Sequence, residues 1–147
     1  MDERPLASLI TLGVSDLARQ RAFYRDLGWS QVADEDDFAA FELRGAVLAL
    51  FPVDKLAADG RGTPEPGQGG IRFTIAIIVD HPDEVDQLAR RMSDAGGRVT
   101  KAPVDAEFFE GRSCYVADPE GNFFEIAWTA NTDNPVGVAV RRAAGLL

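Results

Sequence analysis

A glutamate inside an apolar strand is the residue of this sequence best placed to do chemistry. The segment DPEGNFFEIAW, residues 118–128, begins as a turn and continues as bulky apolar residues from Phe123 to Trp128, with Glu125 in the middle. A carboxylate in such a place must face water, find a partner, bind a metal or hold a proton, because a buried unpaired charge is costly. The contacts of Glu125 are therefore the first functional question that the sequence raises.

Three interpretations of Glu125 stay open on the sequence alone. The residue can pair with a basic side chain, such as Arg72 or Arg112, and stabilise the sheet. It can accept hydrogen bonds from an amine, guanidinium or hydroxyl group of a ligand. It can also serve as a metal ligand or as a general base, and this makes it the candidate catalytic residue.

Alternation along the last strand predicts which face of the sheet carries this glutamate. Phe124, Ile126 and Trp128 share one face, and Phe123 and Glu125 share the opposite one. Large apolar side chains must pack under helices, and successive residues of a strand point to opposite faces. Glu125 is therefore predicted to point into a concavity on the side of the sheet away from the helix.

The elements that must position this strand occur twice along the chain. A strand, a helix and three more strands are predicted in module one, residues 7–53, and again in module two, residues 71–129. Residues 54–70 are rich in glycine and without a period, which predicts a linker or mobile flap. The tail, residues 130–147, is predicted to hold a short helix around residues 138–144. We expect a single α+β domain of two βαβββ modules forming a curved mixed sheet with a concave cavity.

Capping signals mark the two predicted long helices. Ser15 and Asp16 open the first helix, since short polar side chains accept hydrogen bonds from first-turn amides, and Gly28 ends it. The second helix has Pro82 at its first position, after His81. This histidine is the only one in the chain, and its place at a helix start fits capping better than metal coordination.

Composition excludes several classes of protein. The chain has 147 residues, a length sufficient for one domain with a hydrophobic core. Hydrophobic residues make up 46% and charged residues 27%, a composition typical of globular proteins. No segment approaches the ~20 apolar residues of a membrane-spanning helix. Fifteen Lys and Arg against 24 Asp and Glu give a net charge of −9, which argues against a nucleic-acid partner and weakly favours a cationic or neutral ligand.

The cysteine content and the N-terminus favour a cytoplasmic location. Cys114 is the only cysteine, so an intramolecular disulfide cannot form and a reducing compartment is expected. No catalytic histidine lies in a motif with it, so we expect a small buried apolar residue rather than a nucleophile. The start, MDERPLASLI, lacks the basic region of a signal peptide.

Two stretches resemble the vicinal oxygen chelate superfamily, which contains glyoxalase I, extradiol dioxygenases and bleomycin resistance proteins. ITLGVSDLARQRAFYRDLGW is similar to the opening strand and helix of that superfamily, and DPEGNFFEIAW is similar to its closing turn and strand. The resemblance covers residues 7–129. It implies a glyoxalase-like fold and a homodimer, since members commonly associate in pairs.

The resemblance also implies where a divalent metal would bind. Metal enzymes of the superfamily hold the cation with four side chains, on the first and fourth strands of each module. The matching positions here are Leu9, Ala49, Thr74 and Glu125. Leucine and alanine cannot ligate a cation, and threonine is a poor ligand for zinc, nickel or iron. Glu125 is thus the only retained ligand position, and we expect no tightly bound metal and no other cofactor.

The function predicted from the sequence is metal-independent binding of a small organic molecule, as in the bleomycin resistance branch. The alternative is a metal-dependent lyase, isomerase or dioxygenase with Glu125 as ligand or base, and a third is a partner-binding subunit. The loop EFFEG, residues 107–111, is expected at the mouth of the cavity. The residues predicted to line the cavity are Leu9, Thr11, Ala49, Phe51, Thr74, Tyr115, Phe123 and Glu125.

Overall fold

The chain forms two compact units, Met1–Pro66 and Gly67–Leu147. A computed structural model describes residues 4, 7–65, 71, 73–130, 135–143 and 145. Each unit contains one four-stranded mixed sheet with helices, and this confirms the predicted α+β class and the repeated βαβββ order. Among the described residues, no helix is both long enough and apolar enough to span a membrane.

The first unit has the strand order β1-β4-β3-β2, with β1 parallel to β4 and the other pairs antiparallel. Its strands are β1 (Leu9–Val14), β2 (Ser30–Glu35), β3 (Phe38–Leu43) and β4 (Ala46–Pro52), and its helices are α1 (Leu17–Asp26) and α2 (Val53–Gly60).

Helix α1 begins and ends at the predicted signals and covers an aromatic core. The Asp16 carboxylate accepts a hydrogen bond from the Arg19 amide at 3.0 Å. Gly28 has a φ of +81°, a conformation that glycine adopts at little cost after a helix. Tyr24 is fully buried, and its ring centroid lies 5.5 Å from that of Trp29 and 5.8 Å from that of Phe41. The core of this unit is therefore built around one tyrosine.

Helix α2 corrects the prediction that the segment after β4 is irregular. Val53, Leu56 and Ala57 stand at i, i+3 and i+4, the spacing of one helical face, and the high glycine content of residues 54–70 obscured this short pattern. The helix packs tightly on β1, because a Cβ added at Gly13 would lie only 3.0 Å from Val53 Cγ2. Residues 66–70 of the predicted linker lie outside the described residues.

The second unit repeats this plan with the strand order β5-β8-β7-β6, again with its first and fourth strands parallel. The strands are β5 (Thr74–Ile78), β6 (Arg98–Asp105), β7 (Gly111–Ala117) and β8 (Phe123–Thr129), and the helices are α3 (Pro82–Asp94) and α4 (Pro135–Ala143). Helix α4 begins three residues before the predicted tail helix.

Helix α3 packs an aliphatic face on one side of this second sheet. Pro82 occupies its first turn and His81 the N-cap position, as predicted, although the imidazole makes no capping hydrogen bond. Its apolar face is buried, with Val85 and Met92 fully excluded from solvent. Cys114 of β7 is also fully buried, and burial raises the pKa of its thiol to about 11. The expectation of an inert, core cysteine is confirmed.

The turn before β8 is organised by the side chain of Asp118, which is 3% exposed. Its Oδ1 accepts hydrogen bonds from the amides of Glu120 at 3.0 Å and Asn122 at 2.9 Å. The Asn122 side-chain amide donates to both carboxylate oxygens, at 3.1 and 2.8 Å. The aspartate of DPEGN is therefore structural, and it sets the point at which β8 begins.

Candidate functional site

Glu125 lies at the centre of the second sheet, on the face opposite α3. Its register partners are Ala76 on β5 and Tyr115 on β7. The flanking residues Phe124 and Ile126 point to the other face and are fully buried. Glu125 itself is only partly buried. The predicted orientation of this carboxylate, away from the helix, is confirmed within the second unit.

A cavity of about 350 Å³ opens above this face of the sheet. Its floor consists of Ala76 and Ile78 on β5 and of Glu125, Ala127 and Thr129 on β8. These residues stand two apart along each strand, so the pleat places them on one face of the sheet. The floor is thus aliphatic apart from one carboxylate and one hydroxyl.

The walls of the cavity come from a loop and from the C-terminal helix. Phe108 and Phe109 of the loop between β6 and β7 line the cavity. Phe108 is 90% exposed, so it lies at the open edge of the cavity. Helix α4 contributes Val136, Gly137 and Val140. The expectation that EFFEG lies at the mouth of a cavity therefore holds for the cavity of the second unit.

The role of α4 was missed by the sequence analysis, which predicted a helix but no function for it. Val136 and Val140 stand four residues apart, on one helical face, and this spacing is the signal that could have indicated a covering helix. The Arg141 guanidinium donates a hydrogen bond to the Thr129 carbonyl at 3.0 Å. This bond ties α4 to the end of β8.

The hydrogen-bond partner of Glu125 among the described residues is Tyr115. The phenol donates to Glu125 Oε2 over 3.3 Å. Burial, followed by the negative charge of Glu125 and this hydrogen bond, raises the pKa of Tyr115 above its ordinary value. The phenol therefore keeps its proton at neutral pH and remains a donor to the carboxylate.

The proposed pairing of Glu125 with Arg112 is wrong. Arg112 belongs to the opposite face of β7, and its guanidinium donates two hydrogen bonds to Asp86 of α3, both at 2.8 Å. This bidentate pair lowers the pKa of Asp86, mainly through the hydrogen bonds. Arg112 thus holds α3 on the sheet and does not reach the cavity face. Arg72, the other basic residue considered, lies outside the described residues.

Two pairs of predicted cavity residues are neighbours in the second unit. Thr74 pairs in register with Phe123, and Tyr115 pairs with Glu125. Thr74 is exposed at the start of β5, and Phe123 is partly buried. Of these four, Glu125 lines the cavity described above, and Tyr115 acts through its hydrogen bond to Glu125.

The other four predicted residues belong to the first unit. Thr11 pairs in register with Ala49, which is fully buried. The ring of Phe51 lies 6.2 Å from that of Phe38, edge to face. Leu9, at the start of β1, is 58% exposed. That these residues share one cavity with those of the second unit stays a prediction.

The side chains at the four implied ligand positions do not fit a transition metal. The register partner of Ala49 on β1 is Thr11, and that of Glu125 on β5 is Ala76, so Ala49 and Glu125 occupy equivalent places in their units. Alanine and the equivalent Leu9 offer no donor atom, and Thr74 offers a hydroxyl. Among the described residues no three His, Cys, Asp or Glu side chains form a group that could hold a cation.

The fold and the family are confirmed by comparison with known proteins. A family model of the Glyoxalase/Bleomycin resistance protein/Dioxygenase superfamily matches residues 7–126. The chain belongs to this superfamily. No significant match is found among curated proteins. Membership defines the fold and a broad class, while the chemistry of this fold varies with the residues of the site.

Several solved structures share the fold at moderate sequence identity. A glyoxalase-related enzyme from Fulvimarina pelagi is 30% identical, with a TM-score of 0.76, over 84% of this chain and 87% of that chain. A glyoxalase/bleomycin resistance protein/dioxygenase from Nocardioides is 27% identical, with a TM-score of 0.72, over 92% and 90%. A lactoylglutathione lyase from Agrobacterium tumefaciens is 26% identical, with a TM-score of 0.65, over 85% and 95%.

Proposed function

We propose that this protein binds a small organic molecule in the cavity of its second unit, without a tightly held metal. The observation that carries the proposal is Glu125 on the floor of a largely apolar cavity, with its carboxylate hydrogen-bonded to Tyr115 of the neighbouring strand. Ligand sites are typically apolar concavities of about 300–1,000 Å³ with few polar groups that orient the ligand. The cavity of about 350 Å³ lies at the small end of that range.

The two kinds of lining residue have separate roles in this proposal. Ile78, Phe109 and Val140 present apolar surface, and each Å² of such surface removed from water contributes about 25 cal/mol. The carboxylate of Glu125 orients the bound molecule, because an incoming polar group must pair with it. Apolar contacts thus supply affinity, and Glu125 supplies direction.

An enzyme is the alternative, and the same pair of residues favours it. A carboxylate at an apolar cavity can take a proton from a bound substrate, and the Tyr115 phenol can stabilise the charge that it carries. A lyase, isomerase or dioxygenase that needs a metal would have to take the remaining ligands from water or substrate. Turnover that depends on Glu125 would distinguish this alternative from simple binding.

A fragment screen on chelator-treated protein tests the proposal. Small apolar amines, alcohols and acids are added singly, and thermal shift and ligand-detected NMR report binding. Ala76→Leu places extra methyl groups beside Glu125, so we expect it to abolish binding. Ala139→Leu, at an exposed position of α4, is the matched control and should leave binding unchanged. Fragments that bind both variants equally would place the binding elsewhere.

The same protein is then tested against Zn, Ni, Fe, Mn and Mg by native mass spectrometry. We expect no stoichiometric metal and no thermal stabilisation, because three of the four implied ligand positions lack a suitable donor. A metal that binds one to one, and that Glu125→Ala removes, would overturn the proposal in favour of the enzyme.

A further inference from the structure

We infer that Glu125 and Tyr115 select the chemical class of the ligand, an organic cation with at least two N–H donors on a small apolar body. Ammonium, amidinium and guanidinium groups meet this description. The inference rests on the proposed function, since it concerns the same cavity. Two observations support the inference: the charge of Glu125, and the excess of hydrogen-bond acceptors over donors around it.

The charge of Glu125 has no counter-ion in the described part of the chain. Lys101 of β6, the register partner of Tyr115, is exposed and lies one strand further from Glu125, and Arg112 and Arg141 are engaged elsewhere. Arg112 forms its ion pairs with Asp86 and, at 3.9 Å, with Asp105. Arg141 donates to the Thr129 carbonyl. A cationic ligand would thus supply the missing charge.

The acceptors at the floor of the cavity outnumber the donors. The phenol of Tyr115 donates its one O–H to Glu125 Oε2, which leaves Glu125 Oε1 and a lone pair of Oε2 able to accept. Thr129 provides the other polar side chain of the described lining. Two adjacent acceptors match a group with two or more N–H donors. A carboxylate or phosphate would instead meet a like charge.

The mouth of the cavity adds to this preference. The loop that carries Phe108 also carries Glu107 and Glu110, and all three are exposed. Carboxylates around a cleft raise the local concentration of cations. An aromatic face also attracts a cation that passes close to it. Entrance and floor therefore favour the same sign of charge.

A neutral ligand has a specific disadvantage in this cavity. Without a donor it would displace water from Glu125 and leave the carboxylate with the phenol as its one partner, and with a hydroxyl it would offer one uncharged hydrogen bond. An ammonium replaces those waters with charged hydrogen bonds. A charged hydrogen bond of this kind corresponds to about 10- to 100-fold in affinity.

Three probes of similar size test the inference: benzylamine, benzyl alcohol and benzoate, which at pH 7 are positive, neutral and negative. Dissociation constants are measured by protein-observed NMR titration. We expect benzylamine to bind at least about tenfold more tightly than benzyl alcohol, and benzoate to bind most weakly. Glu125→Gln should remove the preference, so that the alcohol binds as well as the amine. Glu125→Asp, which keeps the charge, should retain part of it.

Two further variants locate the effect. Tyr115→Phe removes the hydrogen bond that orients the Glu125 carboxylate, so it should reduce the preference by a smaller factor than Glu125→Gln. Asp94→Asn, at an exposed carboxylate of α3 on the other face of the sheet, is the control and should leave the preference unchanged. If Asp94→Asn abolished the preference and Glu125→Gln did not, the assignment to Glu125 would be wrong.

Failure of the inference can be told apart from failure of the proposed function. If benzyl alcohol binds the wild-type protein as tightly as benzylamine, and Ala76→Leu abolishes both, the cavity binds ligands without selecting cations. If no probe and no screened fragment binds in a manner sensitive to Ala76→Leu, the proposed function itself is wrong. Far-ultraviolet circular dichroism of each variant verifies that the fold is retained.

Discussion

Equivalent positions of the two units carry side chains of opposite character. In the first unit the central residue of β4 is Ala49, paired with Ala40 on β3, and both are buried. In the second unit the corresponding residue of β8 is Glu125, paired with Tyr115 on β7. The backbone pairing is the same, so the difference lies in side chains alone. One repeat keeps an apolar sheet face, and the other places a carboxylate and a phenol there.

The helix that follows the fourth strand also lies differently against the sheet in the two units. Register makes Gly13 of β1 the equivalent of Ile78 of β5. At Gly13, α2 packs directly against the strand. At Ile78, α4 and the strand line a cavity of about 350 Å³. The same topology thus gives a close-packed face in one unit and a cavity in the other, depending on a few side chains.

The largest effect is expected when the polar position of the second unit is copied into the first. Ala49→Glu would put a carboxylate into a fully buried site whose neighbour is Ala40 instead of a tyrosine. Added volume and an unpaired charge together should destabilise the fold by about 4 kcal/mol or more. Urea unfolding measures this change. The reverse substitution, Glu125→Ala, should cost far less, and equal costs would contradict the comparison.

A smaller effect is expected where α2 meets β1. Gly13→Val would force methyl groups into the space that Val53 and Leu56 fill, at an estimated cost of about 1–3 kcal/mol. Ile78→Val, at the equivalent position beside the cavity, removes one methylene from a surface that is not closely packed. Thermal unfolding should show the first variant clearly less stable than the second. Similar melting temperatures would show that α2 can move away from β1 at little cost.

The Tyr115–Glu125 pair predicts a loss of stability at alkaline pH. The folded-state pKa of Tyr115 is raised, so its contribution is fully present below the unfolded value of about 10 and is lost as pH rises through the folded value. Tyr115→Phe should therefore flatten the decline of stability between pH 9 and 11. Because Cys114 titrates in the same range, both proteins should be compared in a Cys114→Ala background. An unchanged decline would contradict the assigned environment of the phenol.

The smallest effect concerns ion pairs on the two units. The bidentate pair Arg112–Asp86 joins β7 to α3, although the Asp86 side chain is 40% exposed. After allowance for this exposure, a double-mutant cycle should give a coupling of about 0.5–1 kcal/mol. The single contact between Lys55 and Asp37 in the first unit should give a smaller one. A larger coupling for Lys55 and Asp37 would reverse this order.

The acid limb of the pH profile follows from the same pair. The pKa of Asp86 is lowered by its hydrogen bonds to Arg112, so its contribution is present above the unfolded value of about 4. It is lost as pH falls through the folded value. Asp86→Asn should remove this part of the acid dependence.

Association as a homodimer stays a prediction that sedimentation can test. A cytoplasmic location stays a prediction that cell fractionation can test.

Short-range signals in the sequence determined much of the fold. Asp16, Gly28 and Pro82 mark helix ends because capping depends on neighbouring backbone groups. Alternation along β8 placed Glu125 on the face away from α3, since the period of a strand is a local property. The repeat, the family and the central glutamate could thus be predicted from the sequence.

Only the tertiary structure decided what surrounds that glutamate. Arg112 was an available partner for Glu125 by composition, but the pleat of β7 directs it to Asp86. The covering role of α4, anchored by Arg141, depends on contacts between distant parts of the second unit. Local patterns specify helices and strands. Long-range packing decides which of several possible charged partners a residue meets, and how much space is left between the elements. The sequence therefore determined the face of the sheet on which Glu125 lies. Packing alone decided that Tyr115 is its hydrogen-bond partner and that a largely apolar cavity lies beside it.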